Sequence, residues 1–167
     1  MVLPRVLTAI ILIPVVLAVI WTGSIPYFLF ILAISILAGW EYALIAEEGG
    51  FPNQVLMLVF GNGAVILAMF LDGVPWGPLH HTPSVLFVFI LWTFLSFLRE
   101  FFRRDKGVSL LRVMATLLGV GLTSLCLGHL LLIRDLRAVA GEGFQPVGRE
   151  LVFFLVAVIW AVDTGAW

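Results

Sequence analysis

Charge is what this sequence has least of. Lys, Arg, Asp and Glu make up 11% of its 167 residues, against about 25% in an ordinary soluble domain. With 62% hydrophobic residues and a mean hydropathy of +1.17, there is too little polar surface to cover a globule in water, which excludes a soluble fold. Cysteine is nearly missing. The lone Cys126 excludes an internal disulfide framework, and its neighbours Leu125, Leu127 and Gly128 cast it as a small packing residue. No long Lys/Arg run with interleaved aromatics occurs, so nucleic acid is not expected as a partner. A Walker phosphate loop, HExxH, G-x-S-x-G and a paired-cysteine metal site are also missing. So are internal repeats and low-complexity tracts.

What the chain does have is long apolar runs. Arg5 and Glu41 are separated by 35 residues without a charge. That is too long for one helix across a bilayer core about 30 Å thick, which takes roughly 20 residues. Thr22-Gly23-Ser24-Ile25-Pro26 breaks the run with turn chemistry, so the pattern predicts a helical hairpin, with helices over 6–22 and 26–46. Further helices are expected over Asn53–Leu71, Ser84–Leu98 and Leu111–Ile133, the last with Arg112 snorkelling at its start. A sixth begins at Leu151. Helix is the expected state throughout, because strand alternation is lacking and backbone groups in lipid must be satisfied internally. Arg5 followed by an apolar stretch imitates a signal peptide, but Trp21-Thr-Gly-Ser-Ile-Pro makes a poor cleavage site, so a retained anchor is expected. The fold class is therefore all-α, a polytopic transmembrane protein of about six helices in a lipid bilayer, with residues 1–167 forming one membrane domain.

Orientation follows from Lys and Arg. With a cytoplasmic N-terminus, Arg5, Arg99, Arg103, Arg104 and Lys106 lie inside, while Arg134, Arg137 and Arg149 lie outside. Five against three favours that topology. Helix 6 then runs inward, and Asp163 lies toward the cytoplasmic half. Trp21 and Trp40 fall near opposite interfaces.

Asp163 is the principal candidate site. An acid at the centre of a membrane helix costs about 2.5–3.5 kcal/mol on insertion scales, so a metal, a cation or a water-filled cavity must offset it. Thr164, Gly165 and Ala166 follow, small enough for a ligand or a neighbouring backbone to approach. The plainer reading makes Asp163 the first polar residue of a cytoplasmic loop. Glu41, in Trp40-Glu41-Tyr42, is expected as an interfacial carboxylate, with Arg5 as an alternative partner. His80-His81 lies in a Pro- and Gly-rich outer loop and is expected to be solvated. His129 is expected to hydrogen-bond across helices. Arg99–Lys106 reads as a topology signal that attracts anionic headgroups.

Three segments in order carry a resemblance: Arg5-Val-Leu-Thr-Ala-Ile-Ile-Leu-Ile-Pro14, Ala38-Gly-Trp40-Glu41-Tyr42-Ala, and Trp160-Ala-Val-Asp163-Thr164-Gly165-Ala166-Trp167. Together they resemble the N-terminal part of the bacterial phosphatidate cytidylyltransferases, or CDP-diacylglycerol synthases. The last segment is the most specific. The resemblance implies transfer of a cytidylyl group from CTP to phosphatidate, giving CDP-diacylglycerol and pyrophosphate for phospholipid biosynthesis at the bacterial inner membrane. It also implies Mg²⁺ as cofactor, with Asp163 as catalytic residue and metal ligand and with Thr164 and Gly165 near the substrate. A homodimer is left open. The family's Ser-Pro-Lys-Lys-rich signature and later acids lie beyond this segment. The chain is therefore expected to be truncated at its C-terminus, the N-terminal portion of a longer transferase domain, and inactive alone. Two other readings stay open: a non-enzymatic membrane protein (a transporter half or assembly factor) with Asp163 on an ion path, and a membrane lipid or polyprenol kinase.

Overall fold

The computed structural model describes residues 3–73, 84–103, 107–134 and 145–165, and these are almost wholly helical, with no strand among them. The element order is α1 (Leu3–Thr22), α2 (Ser24–Glu48), α3 (Val55–Gly73), α4 (Ser84–Phe101), α5 (Ser109–Arg134) and α6 (Gln145–Gly165). Four segments are long and apolar enough to cross a membrane: Ile25–Glu48, Val55–Gly73, Ser84–Phe101 and Ser109–Arg134. In α1 a shorter apolar stretch, Leu12–Thr22, accompanies them. The sixth helix starts at Gln145, six residues before the expected Leu151, and its opening turns carry Arg149 and Glu150. The expectations for His80, His81, Arg104, Lys106, Arg137, Ala166 and Trp167, and for the side chains of Arg5 and Thr164, lie outside the described residues.

Glycine sets two of the joints. A single residue, Gly23, separates α1 from α2 at φ +64°, a conformation that L side chains adopt only with strain. Its N–H closes the last turn of α1 on Val19 O at 3.0 Å. At the end of α2, Gly50 has φ +81°, and Phe51 N donates back to Ala46 O at 2.8 Å. That is the six-to-one closure of a Schellman ending.

The chain divides into two compact units, residues 1–30 with 133–167, and residues 31–132. In the second, α3 lies at the centre. Leu58, Val65 and Met69 of α3 pack with Ala43 of α2 and Val120 of α5, all essentially inaccessible. Large apolar side chains such as Phe60, Phe87, Phe94 and Leu118 are instead exposed. A helix that is apolar all round is ordinary in a membrane span, where lipid covers what protein does not.

Inside α5 the ladder changes step. Ser109–Val120 and Cys126–Arg134 are α-helical, and Gly121–Leu125 forms a π turn between them. Polar side chains gather at this turn. Asn62 Nδ2 donates to Ser35 O at 2.8 Å and to Thr123 Oγ1 at 2.7 Å, and Ser35 Oγ donates to Thr123 O at 2.9 Å. Three helices are thereby tied at one level by groups that lipid could not satisfy.

The first unit is held at the joint of its helices by arginines. Arg134 Nε donates to Ile20 O at 3.1 Å, and its guanidinium lies 5.6 Å from the Tyr27 ring centre. Arg149 lies 4.3 Å from the ring centre of Trp21. Both distances fall within cation–π range, and a cation near the closing carbonyls of a helix is favoured by its dipole. Two arginines counted as outer-loop charges are thus engaged by aromatic rings and a carbonyl.

Candidate functional site

Asp163 lies in the last turn of α6 and is exposed, as are Ala161, Val162 and Gly165. A Cβ added at Gly165 would meet nothing within 4 Å. The Asp163 side chain is accessible, and the backbone at Gly165, two residues on, is open to a close approach. No group of three His, Cys, Asp or Glu side chains that could hold a metal occurs among the described residues. A lone accessible carboxylate does not make a protein cage. It does suit Mg²⁺, which keeps most of its waters and is usually held by one or two carboxylates plus substrate phosphates.

Other sequence candidates resolve differently. Glu41 is exposed, in keeping with an interfacial carboxylate. His129 does not bond across helices. It is exposed, and its Nδ1 donates to Leu125 O one turn back in its own helix. Cys126 is likewise exposed and is not a packing residue. Both side chains sit on the outward face of α5, where the smaller Ser124 and Gly128 take the buried positions.

The largest departure is Arg112. It does not snorkel. Arg112 is 6% exposed, and its NH1 donates to Glu100 Oε2 at 2.7 Å. Glu100, one residue beyond Arg99, is itself 4% exposed. Its second oxygen accepts from Gln54 Nε2 at 2.9 Å, and Arg103 NH1 stands 3.7 Å away. Gln54 also gives its second amide proton to Ser96 O at 3.1 Å, and its backbone N–H to Thr116 Oγ1 at 2.8 Å. Thr116 Oγ1 donates to Arg112 O at 2.8 Å. Nearby, Asn53 Nδ2 donates to Ala43 O at 2.8 Å and Tyr42 Oη to Ala115 O at 3.0 Å.

This network forms where α2 and α4 end and α3 and α5 begin. In sequence, Arg99–Lys106 reads as a basic patch at a membrane surface, and nothing local marks Glu100 as buried. The available signal was Arg112, a lone cation in an otherwise apolar run, which requires an acidic partner on a neighbouring helix. Several buried polar atoms here have no hydrogen-bond partner: Gln54 Oε1, Asn53 Oδ1, Ser96 Oγ and Arg99 NH1.

The sequence matches a family profile described as the cytidylyltransferase family over residues 3–167. Neither the curated proteins nor the solved structures gave a match. A profile that spans all but the first two residues settles the family: this chain belongs to the cytidylyltransferase family, the family of the CDP-diacylglycerol synthases.

Proposed function

We propose that this chain is part of a phosphatidate cytidylyltransferase of the bacterial inner membrane. The observation that carries the reading is the match to a family of CTP-dependent transferases by a chain whose helices are apolar enough to cross a bilayer. An enzyme so placed meets acceptors whose tails lie in lipid and whose heads lie at the interface. Phosphatidate offers such a head, a phosphomonoester.

An oxygen of that phosphomonoester attacks the α-phosphorus of CTP. One P–O bond forms, the bond from the α-phosphorus to the bridging oxygen breaks, and pyrophosphate leaves with the electron pair. The second pKa of a phosphomonoester is about 6, so near neutral pH the attacking oxygen is already deprotonated and no protein base is required. What the protein must supply is alignment and neutralisation of charge. A carboxylate beside two phosphates would repel both unless a cation lay between them, which gives Asp163 its role as cation ligand. Mg²⁺, when bound, supplies the neutralising charge that lets the two anions approach. The open space at Gly165 leaves room for a phosphate against the backbone, and Thr164 is assigned to the same contact.

The test uses the full-length gene product that contains residues 1–167, in vesicles with phosphatidate and radiolabelled CTP. Label is expected to enter the lipid phase as CDP-diacylglycerol, with pyrophosphate released in equal amount. Label transferred from the γ-phosphate instead would mark a kinase, and no transfer to any phospholipid would defeat the reading.

A further inference from the structure

Among the described residues at the end of α4 and the start of α5, three arginines, Arg99, Arg103 and Arg112, stand against one carboxylate, Glu100. The balance is 3 − 1 = +2, with Glu100 and Arg112 buried, Arg99 half-buried and Arg103 exposed. Glu100 is already committed to Arg112 at 2.7 Å and to Gln54 at 2.9 Å. Arg99 NH1 is buried without a hydrogen-bond partner, and so is the hydroxyl of Ser96, a residue 0% exposed and one turn earlier on α4. The N-cap residue of α5, Val108, gives no side-chain cap hydrogen bond. A buried guanidinium N–H and a buried hydroxyl without partners are costly unless a ligand completes them. An anion with several acceptor oxygens would complete both.

We propose that the Ser96, Arg99 and Arg103 side of α4, with the start of α5, binds a phosphate dianion, in the first instance the phosphomonoester head of a membrane lipid. The choice of that ligand rests on the transferase reading, whereas the site rests on the geometry. Arg103, with a side chain 44% exposed, is the entry-side cation, and Arg99 and Ser96 are the buried donors. The Glu100–Arg112 pair is the support that holds α4 against α5. The same chemistry is present in the terminal phosphate of a nucleotide, and the experiment separates the two.

The full-length gene product is equilibrated with phosphatidylcholine vesicles containing phosphatidate, and retained phosphatidate is counted per protein. Retention of CTP is measured by equilibrium dialysis. Arg99→Gln removes a group with an unpartnered NH1, so its thermal stability is expected to stay level while phosphatidate retention falls about tenfold, or ~1.4 kcal/mol, with CTP unaffected. A fall in CTP retention alone would keep the phosphate site and assign it to the nucleotide. Arg149→Gln removes a cation from the other unit. A loss as large in that variant would mean general attraction of anions and overturn the proposal. So would Arg99→Gln values within about twofold of the parent for both ligands, since one charge-assisted hydrogen bond is worth more than that. Should Arg99→Gln not fold, Arg103→Gln makes the same measurement at a half-exposed position, and unchanged retention there overturns the site. Arg99-dependent retention without any cytidylyl transfer would sink the transferase reading and leave the site standing.

Discussion

Glu100→Gln is the substitution whose consequence the structure defines best. The side chains of Glu100 and Arg112 are 5% and 8% exposed, which places them with buried pairs rather than surface ones. An exposed pair contributes about 0–1 kcal/mol. Breaking a buried pair by removing one partner costs about 3–5 kcal/mol, because the other charge is left uncompensated. The geometry adds a second penalty. Glu100 presents one oxygen to Arg112 NH1 and the other to Gln54 Nε2, both donors. A glutamine can offer an oxygen to only one of them and must turn its own NH₂ toward the other. Arg103 at 3.7 Å is too loosely held to absorb the change. A loss near the upper part of the range is therefore expected, about 4 kcal/mol. Reversible unfolding of the purified protein in mixed micelles, titrated with a denaturing detergent, would measure it. Glu100→Gln combined with Arg112→Met should recover much of the loss, since the stranded charge goes with its partner. A single-variant loss under about 1 kcal/mol, or a double variant as unstable as the sum of its parts, would show that the pair is solvated and that the cluster does not hold the helix ends.

Further expectations follow from the other sites. Asp163→Asn in the full-length gene product should abolish most CTP-dependent transfer without impairing insertion, and Asp163→Glu should lose roughly 100-fold, the scale of a 1 Å misplacement; Glu41→Gln is the control, and near-normal turnover with an unchanged Mg²⁺ requirement in Asp163→Asn would remove the metal-ligand role. Gly148→Ala and Gly165→Ala form a contrasting pair. A Cβ at Gly148 would fall 2.5 Å from the carbonyl oxygens of Ile133 and Arg134, whereas at Gly165 it would meet nothing within 4 Å. The first should destabilise by about 1–3 kcal/mol through overpacking and the second should leave the melting temperature unmoved, so lost activity in Gly165→Ala would report on substrate approach. With Cys126 replaced by serine, a cysteine at Phe102 should resist membrane-impermeant thiol reagents applied to the periplasmic face, and efficient labelling would reverse the topology.

Membrane class, helix number and most helix positions were legible in the sequence because they depend on composition along the chain. An uncharged run of given length must be helical in lipid whatever it touches, and Gly23 beside Pro26 marks the one break in the longest run. The family was legible because Asp163-Thr164-Gly165-Ala166 is a local string. Helix rotation was not legible. Lipid tails are as apolar as leucine, so a span that is apolar on every side carries no periodic signal for the face it buries. Apolar neighbours in sequence cast Cys126 as a packing residue, and its place within a span cast His129 as a link between helices, yet both face outward. The same gap hid the partner of Arg112. Eleven residues of sequence separate it from Glu100, and only the packing of α4 against α5 closes that to 2.7 Å. What the sequence determined by itself is which segments form apolar helices, four of them long enough to cross a bilayer, and which family they belong to. The tertiary structure decided which polar groups meet there, because in lipid they must find each other or remain unsatisfied.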